Sequence, residues 1–254
     1  MKPATAFDRP DAAPLLPDPF ARWFAGRGWT PRAHQLELLA KARDRRSVLL
    51  IAPTGGGKTL AGFLPTLVEL HEAAATPRRL VSTGRDIARA PGLHTLYISP
   101  LKALAVDIAR NLEIPVKEMS LAVRLETRTG DTPASRRQRQ RRYPPDILLT
   151  TPEQLALLLA SPDAPYLFGT LRRVVLDELH SLITSKRGDL LSLGLARLFA
   201  LAPQPQLTTV GLSATVAEPD DLRRYLAPQP AEGEARADLV IAQAGAQPQV
   251  SMLD

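Results

Sequence analysis

The chain has 254 residues, a 44% apolar composition, a formal net charge of +6 and no cysteine. Its apolar content suffices for one large domain or two small ones, and without cysteine it has neither a disulfide framework nor a thiolate metal site. No segment approaches 18 uncharged apolar residues, so no membrane span is expected, while the basic balance suits a polyanionic partner.

Residues 1–19 carry five prolines and little periodicity, which predicts an extended arm. Acids and prolines interrupt the apolar stretch that a signal peptide needs, so a cytoplasmic protein is expected. In "PRAHQLELLAKAR" (31–43) apolar residues recur at helical spacing, with Pro31 suited to a first turn. Six short apolar or β-branched runs follow: "SVLLIA" (47–52), "HTLYIS" (94–99), "AVRLET" (122–127), "DILLTT" (146–151), "RVVLDE" (173–178) and "LTTVGLSA" (207–214). Helical patterns lie between them at 58–73, 101–110, 152–160 and 188–202, and Pro65 predicts a kink or early end in the first of these. Residues 74–92 read as a surface insertion. Residues 227–254, rich in Pro, Ala and Gln, read as a linker or frayed tail. Strands alternating with helices predict an α/β domain over 20–226, a mostly parallel sheet with helices on both faces.

In such sheets ligands sit beyond the carboxyl ends of the strands, and each chemically suggestive residue here follows the end of one run. After the first run, Ala52-Pro53-Thr54-Gly55-Gly56-Gly57-Lys58-Thr59 matches the phosphate-loop pattern, with Ala52 where the general motif has glycine. Thr54, Gly55, Gly56 and Gly57 can turn successive N–H groups inward, and the following helix adds its positive end. Lys58 would reach the β- and γ-phosphates of ATP, and the Thr59 hydroxyl would ligate Mg²⁺. Downstream, "VVLDELH" (174–180) places two acids at a strand end. Asp177 suits a water-mediated Mg²⁺ contact, Glu178 suits the group that deprotonates the attacking water, and His180 could reach toward the γ-phosphate or relay its presence. His34, His71 and His94 show no metal-ligand spacing and read as incidental.

"APTGGGKT" with "DELH" resembles the superfamily 2 nucleic-acid motors of the DExH-box kind. Gln35 in "GWTPRAHQ" resembles the glutamine that reads the adenine edge. "SPLKALA", with Ser99, Pro100 and Lys102, and "TRTGDT", with Thr129, Gly130 and Asp131, resemble two loops that grip the nucleic-acid backbone. "TTPEQL", with Thr150, Thr151, Pro152 and Glu153, resembles a third. "GLSAT", with Ser213, Ala214 and Thr215, resembles the element coupling hydrolysis to domain motion. Ser, Thr and Asp at such junctions are also ordinary helix caps, and cap and phosphate contact are compatible.

Longer stretches, such as "VVLDELHSLITSKRGDLLSLGLARL", resemble the Lhr-like group and within it the bacterial ligase-associated DEXH-box helicases. The likeness covers about residues 25–226. It implies one RecA-like P-loop NTPase domain, the ATP-binding lobe of an ATP-dependent DNA helicase in DNA repair. Single-stranded or forked DNA would be its track and a ligase or nuclease a partner. A second RecA-like lobe, which such motors need, is not expected within these residues, so weak binding and slow hydrolysis are expected of this chain alone. An RNA helicase lobe and a non-catalytic nucleic-acid-binding module are the alternatives, since backbone-gripping loops read phosphates rather than bases. The run "SRRQRQRR" (135–142) reads first as a solvated helix face, and "SKRG" (185–188) would turn Lys186 and Arg187 toward the strand.

Overall fold

The computed structural model describes residues 15–75, 92–202, 207–214 and 216–242. Most of the expected insertion and arm, Thr215 and residues 243–254 lie outside the described residues. Six strands fall on the six runs: β1 (Val48–Ile51), β2 (Thr95–Ile98), β3 (Leu125–Arg128), β4 (Ile147–Thr150), β5 (Arg173–Leu176) and β6 (Thr208–Ser213). A seventh, β7 (Asp238–Ile241), differs from the linker or tail expected over 227–254. The apolar "LVIA" within that Pro-rich stretch pairs in parallel with β1, from Val48↔Asp238 to Ile51↔Ile241. Asp238 is fastened there by Arg46 (2.8 Å) and Lys41 (2.8 Å).

The helices are α1 (Asp18–Gly26), α2 (Ala33–Arg43), α3 (Lys58–Ala75), α4 (Lys102–Glu118), α5 (Ala134–Arg142), α6 (Pro152–Leu159), α7 (Ala164–Phe168), α8 (Leu179–Ile183), α9 (Lys186–Leu201) and α10 (Pro219–Tyr225). α1 begins inside the stretch expected to be an arm, and Leu15 and Leu16 pack on the core. Of the kink or early end expected at Pro65, the early end does not occur, and α3 runs through Pro65 to Ala75. The missing N–H costs roughly 3 kcal/mol. Phe63, Leu64, Leu67, Val68 and Leu70 are buried on the same helix, each at about 1.5–3 kcal/mol, and together they outweigh it.

All strand pairs are parallel, in the order β3-β4-β2-β5-β6-β1-β7. Strand side chains alternate between two apolar layers. Val48, Leu50, Tyr97, Leu149, Val175 and Leu212 join the layer under α1 to α4, while Leu49, Ile51, Leu96, Ile98, Leu148 and Leu176 join the layer under α6 to α10. This confirms the α/β architecture. No helix among the described residues is long and apolar enough to cross a membrane.

Parallel strands put every carboxyl end on one rim. The rim has two halves, β5-β6-β1 and β3-β4-β2, that meet between β2 and β5.

Candidate functional site

The loop between β1 and α3 needs its glycines for steric reasons. Gly55 and Gly57 sit at φ +75° and +74°, in the left-handed region. A Cβ on Gly56 would lie 2.7 Å from the Pro53 carbonyl, so in this chain the residue before Gly57 cannot carry a side chain unless the loop moves. Lys58 opens α3, and its ammonium donates to the carbonyls of Ala52 (2.8 Å) and Pro53 (3.3 Å), folding it across the loop it would serve. Thr54 is exposed in the turn and Thr59 lies in the first turn of α3.

α2 braces this loop from the side. The Gln35 carbonyl oxygen accepts from Arg32 N–H (2.9 Å), and its amide nitrogen lies against Gly57, 3.0 Å from where a Cβ would stand. Arg32 Nη1 donates to the Gly55 carbonyl at 3.3 Å. His34 is buried beside the loop, its Nε2 without a hydrogen-bond partner among the described residues, and burial lowers its pKa. Arg32 was not anticipated, although its place three residues before Gln35 is the spacing of a reciprocal cap.

β6 separates β1 from β5, so the ends of these strands are two strand spacings apart, about 10 Å. At the end of β5, Asp177 is 5% exposed. Burial raises its pKa, opposed by hydrogen bonds from the Tyr97 hydroxyl and Glu178 N–H (3.0 Å) and by the Lys58 charge. The Lys58 charge thus acts on Asp177 across the gap. Burial and then the Asp177 charge push the Tyr97 phenol far above its usual range, so it stays a donor, and its ring stacks on Phe63 at 5.1 Å. Glu178 takes φ +47°, a strained value for a side-chain-bearing residue, and caps α8. It sits 3.5 Å from His180 Nε2, while His180 Nδ1 meets Ser213 Oγ at 3.0 Å. The acids, His180 and the end of β6 thus form one polar chain. Ala214 continues from it, and Thr215 lies outside the described residues.

The other half of the rim carries the three loops expected to grip a strand. Ser99 is buried at the end of β2, with Pro100 half-buried beyond it. Lys102 is exposed and pairs with Asp131 at 2.7 Å, joining the first loop to the second. In that second loop Thr129 N–H donates to Thr132 Oγ1 (2.9 Å), and Gly130 is exposed. At the end of β4, Thr150 Oγ1 donates to the Arg128 carbonyl (2.7 Å), Thr151 precedes α6 as its cap residue, and Pro152 is its first residue. Glu153 is paired with Arg187 (2.5 Å), so Arg187 lies beside the third loop, with Lys186 exposed next to it. The structure thus places the candidates for nucleotide contact on one half of the rim and the candidates for strand contact on the other. Among the described residues no three metal-ligating side chains cluster. The Thr59 hydroxyl and the Asp177 carboxylate are hard oxygen donors of the kind Mg²⁺ takes.

The family described as DEAD/DEAH box helicase matches residues 32–222. The Lhr helicase/uracil glycosylase of Escherichia coli is 40% identical over 86% of this chain and 15% of its own length. The ATP-dependent helicase Lhr-Core of Methanothermobacter thermautotrophicus is 42% identical over 71% of this chain and 21% of its own. Among solved structures, Mycobacterium smegmatis helicase Lhr bound to ssDNA and AMP-PNP superposes with a TM-score of 0.75 at 34% identity, over 93% of this chain and 29% of that one. The chain therefore spans well under a third of each of these proteins.

Proposed function

The chain belongs to the DEAD/DEAH box helicase family, and from that premise we propose that it is the ATP-binding lobe of an ATP-dependent DNA helicase or translocase of the Lhr-like kind. The observation that carries this reading is the shared rim: Lys58, Asp177 and Glu178 on one half, the Ser99, Thr129 and Thr151 loops on the other, with Tyr97 of β2 bonded to Asp177 beyond β5. The M. smegmatis relative, whose structure holds ssDNA and AMP-PNP together, supports it.

Thr54 to Thr59 would hold the phosphates through backbone N–H groups and the Lys58 ammonium, and Gln35 the base. Thr59, and Asp177 through water, would hold Mg²⁺. ATP–Mg²⁺ would supply, when bound, the γ-phosphoryl group that is transferred to water, with ADP as the leaving group. Glu178 takes the proton of that water. His180 and Ser213 pass the state of the acids to the end of β6. The strand loops hold a phosphate backbone, and the Lys102–Asp131 and Glu153–Arg187 pairs keep them in register. The resemblance further assigns the motor to cytoplasmic DNA repair, with a second RecA-like lobe facing this rim and a ligase or nuclease as partner. The described residues form one lobe, so the 254-residue chain tested alone is expected to bind ATP weakly and turn it over slowly. Arginine fingers from a facing lobe are typically worth about 10³–10⁵ in rate.

The test is nucleotide-analogue affinity, with ATPase turnover measured with and without single-stranded DNA or RNA. Lys58→Ala is expected to abolish nucleotide binding. Glu178→Gln should keep it while lowering the already slow turnover by about 10²–10⁴. Single-strand binding indifferent to nucleotide and to Lys58→Ala would favour a non-catalytic module. Preference for RNA over DNA would overturn the choice of track.

A further inference from the structure

Beyond the three loops, charge gathers at the open edge of the sheet. β3 is the edge strand, and its last residue, Arg128, is 8% exposed. Its Nε is buried without a partner, and among the described residues its guanidinium has no hydrogen-bond or ion-pair partner. The nearest acid along the strand, Glu126, is taken by Arg139 (3.0 Å), Arg136 (3.4 Å) and Gln140 (2.9 Å). α5 brings two more arginines to Arg128. Arg137 Nη2 donates to the Gly130 (2.7 Å) and Thr129 (3.4 Å) carbonyls, and its Nε is also buried and unpartnered. Arg141 donates to Ser161 Oγ (3.0 Å) and lies 3.3 Å from Asp163. Together with Ala134 and Gln138 they line a cleft of about 410 Å³. The charged run of α5 is therefore only partly a solvated face.

A buried guanidinium with no counter-charge is costly, and two like charges beside it raise the cost. Burial first, then Arg137 and Arg141, lower the Arg128 pKa, which records the same strain. An anion entering the cleft relieves it. Because Arg137 is tied to the Thr129–Gly130 carbonyls, a strand seated on that loop passes the mouth of the cleft. The geometry points to a phosphodiester subsite at the edge of β3, in which Arg128, flanked by Arg137 and Arg141, takes one backbone phosphate of the bound strand. Planar guanidinium forks match phosphate oxygens bidentately, which makes arginine suited to the role. This subsite rests on the nucleic-acid reading given above, so its test has one arm that does not.

In the first arm, thermal unfolding of the whole chain is followed against inorganic phosphate in a Lys58→Ala background, which weakens the phosphate-loop contribution so that the Arg128-dependent part of the response can be read. Phosphate is expected to raise Tm there, and Arg128→Gln to remove the rise. Removal of an unpaired buried charge should leave the phosphate-free Tm equal or higher, so a folding failure is not expected. Arg141→Gln, at a half-exposed position, provides a second variant that should reduce the rise. In the second arm, single-stranded DNA affinity is measured across salt in the Lys58-intact chain. Arg128→Gln is expected to lower the slope of log K against log salt by about 0.7, the value for one single-strand phosphate contact, while nucleotide-analogue affinity stays unchanged. A phosphate response with an unchanged DNA slope would overturn the phosphodiester assignment in favour of a free anion. No phosphate response in either arginine variant's parent would overturn the subsite outright. Wild-type failure to bind DNA, with the phosphate response intact, would count against the nucleic-acid reading and the phosphodiester assignment while leaving the anion site standing.

Discussion

Tyr97→Phe removes one oxygen from the centre of the sheet and isolates a single hydrogen bond. Tyr97 is fully buried, its hydroxyl donates to Asp177, and its ring stacks on Phe63, a contact that phenylalanine retains. A buried hydrogen bond to a charged group is worth about 1.5–3 kcal/mol, against roughly 0.5–1.5 between neutral partners. Burial raises the Asp177 pKa, so the acid's contribution to stability is fully present below the ordinary carboxylate value and is lost as pH rises through the folded value. Tyr97 limits that loss by favouring the carboxylate. Tyr97→Phe should therefore cost about 1.5–3 kcal/mol near pH 8, or roughly 4–10 °C in Tm for a domain of this size. At the acid end of the folding range, where Asp177 holds its proton, the cost should be about half as large. Affinity for a Mg²⁺-nucleotide, which needs the carboxylate, should also begin to fall at a higher pH than in wild type. The assay is a double-mutant cycle with Asp177→Ala by thermal unfolding at both pH values. The same Tm loss for Tyr97→Phe in wild-type and Asp177→Ala backgrounds would refute the reasoning.

Gly57→Ala forces a left-handed residue with a Cβ 3.0 Å from Gln35 Nε2, and at about 1–2 kcal/mol it should weaken nucleotide-analogue binding about tenfold; unchanged affinity would show that the loop adapts freely. Ser213→Ala removes the partner of His180 Nδ1, and should diminish the effect of nucleotide on single-strand affinity, roughly 1–3 kcal/mol when such coupling exists, while nucleotide affinity itself holds. At the opposite end of the strands, burial works against the Glu69 charge, but His94 and Arg173 (2.7 Å) hold its pKa at about 2. That lowered value stabilises the fold above the ordinary Glu pKa of 4.5 and is lost as pH falls through about 2. Glu69→Gln should accordingly be less stable than wild type at pH 7 by about 2 kcal/mol, after allowance for the part of Glu69 that meets water, with the gap closing on acidification. A gap independent of pH would count against the pairing.

Six strands were legible because each is a run of apolar or β-branched residues buried on both faces, so the signal is continuous and needs no partner to be read. β7 was not. Four residues in a Pro- and Ala-rich stretch carry too little periodicity, and the strand exists because β1 offers an unpaired edge and Arg46 and Lys41 hold Asp238. The early end that Pro65 offered did not occur, for the complementary reason. Local chemistry allowed a stop, and the buried face of α3 against the sheet carried the helix on.

In the site the division is different. Lys58, Asp177, Glu178 and the strand loops are legible because their chemistry is written in contiguous residues at the ends of strands. Tyr97 is not, because it acts through Asp177, a partner distant in sequence. Tyr97 is consequential because sheet order makes β2 the boundary strand of the half that carries the strand-loop candidates and β5 that of the half that carries the nucleotide candidates. A donor on β2 bonded to the acid after β5 crosses the line between them, and the loop that follows β2 begins two residues later at Ser99. Displacement of Asp177 within its pocket would thus be felt at Tyr97 and, through the same short strand, at the Ser99–Lys102 loop. That route is independent of the His180–Ser213 link to β6. Two connections from one acidic pair, one toward the gripping loops and one toward the coupling element, are what a lobe needs if nucleotide state is to change its hold on a strand. The Tyr97→Phe and Ser213→Ala variants separate them, because the first should loosen the loop side and the second the β6 side. Identical losses of coupling in both and in the double variant would mean that the two connections are one.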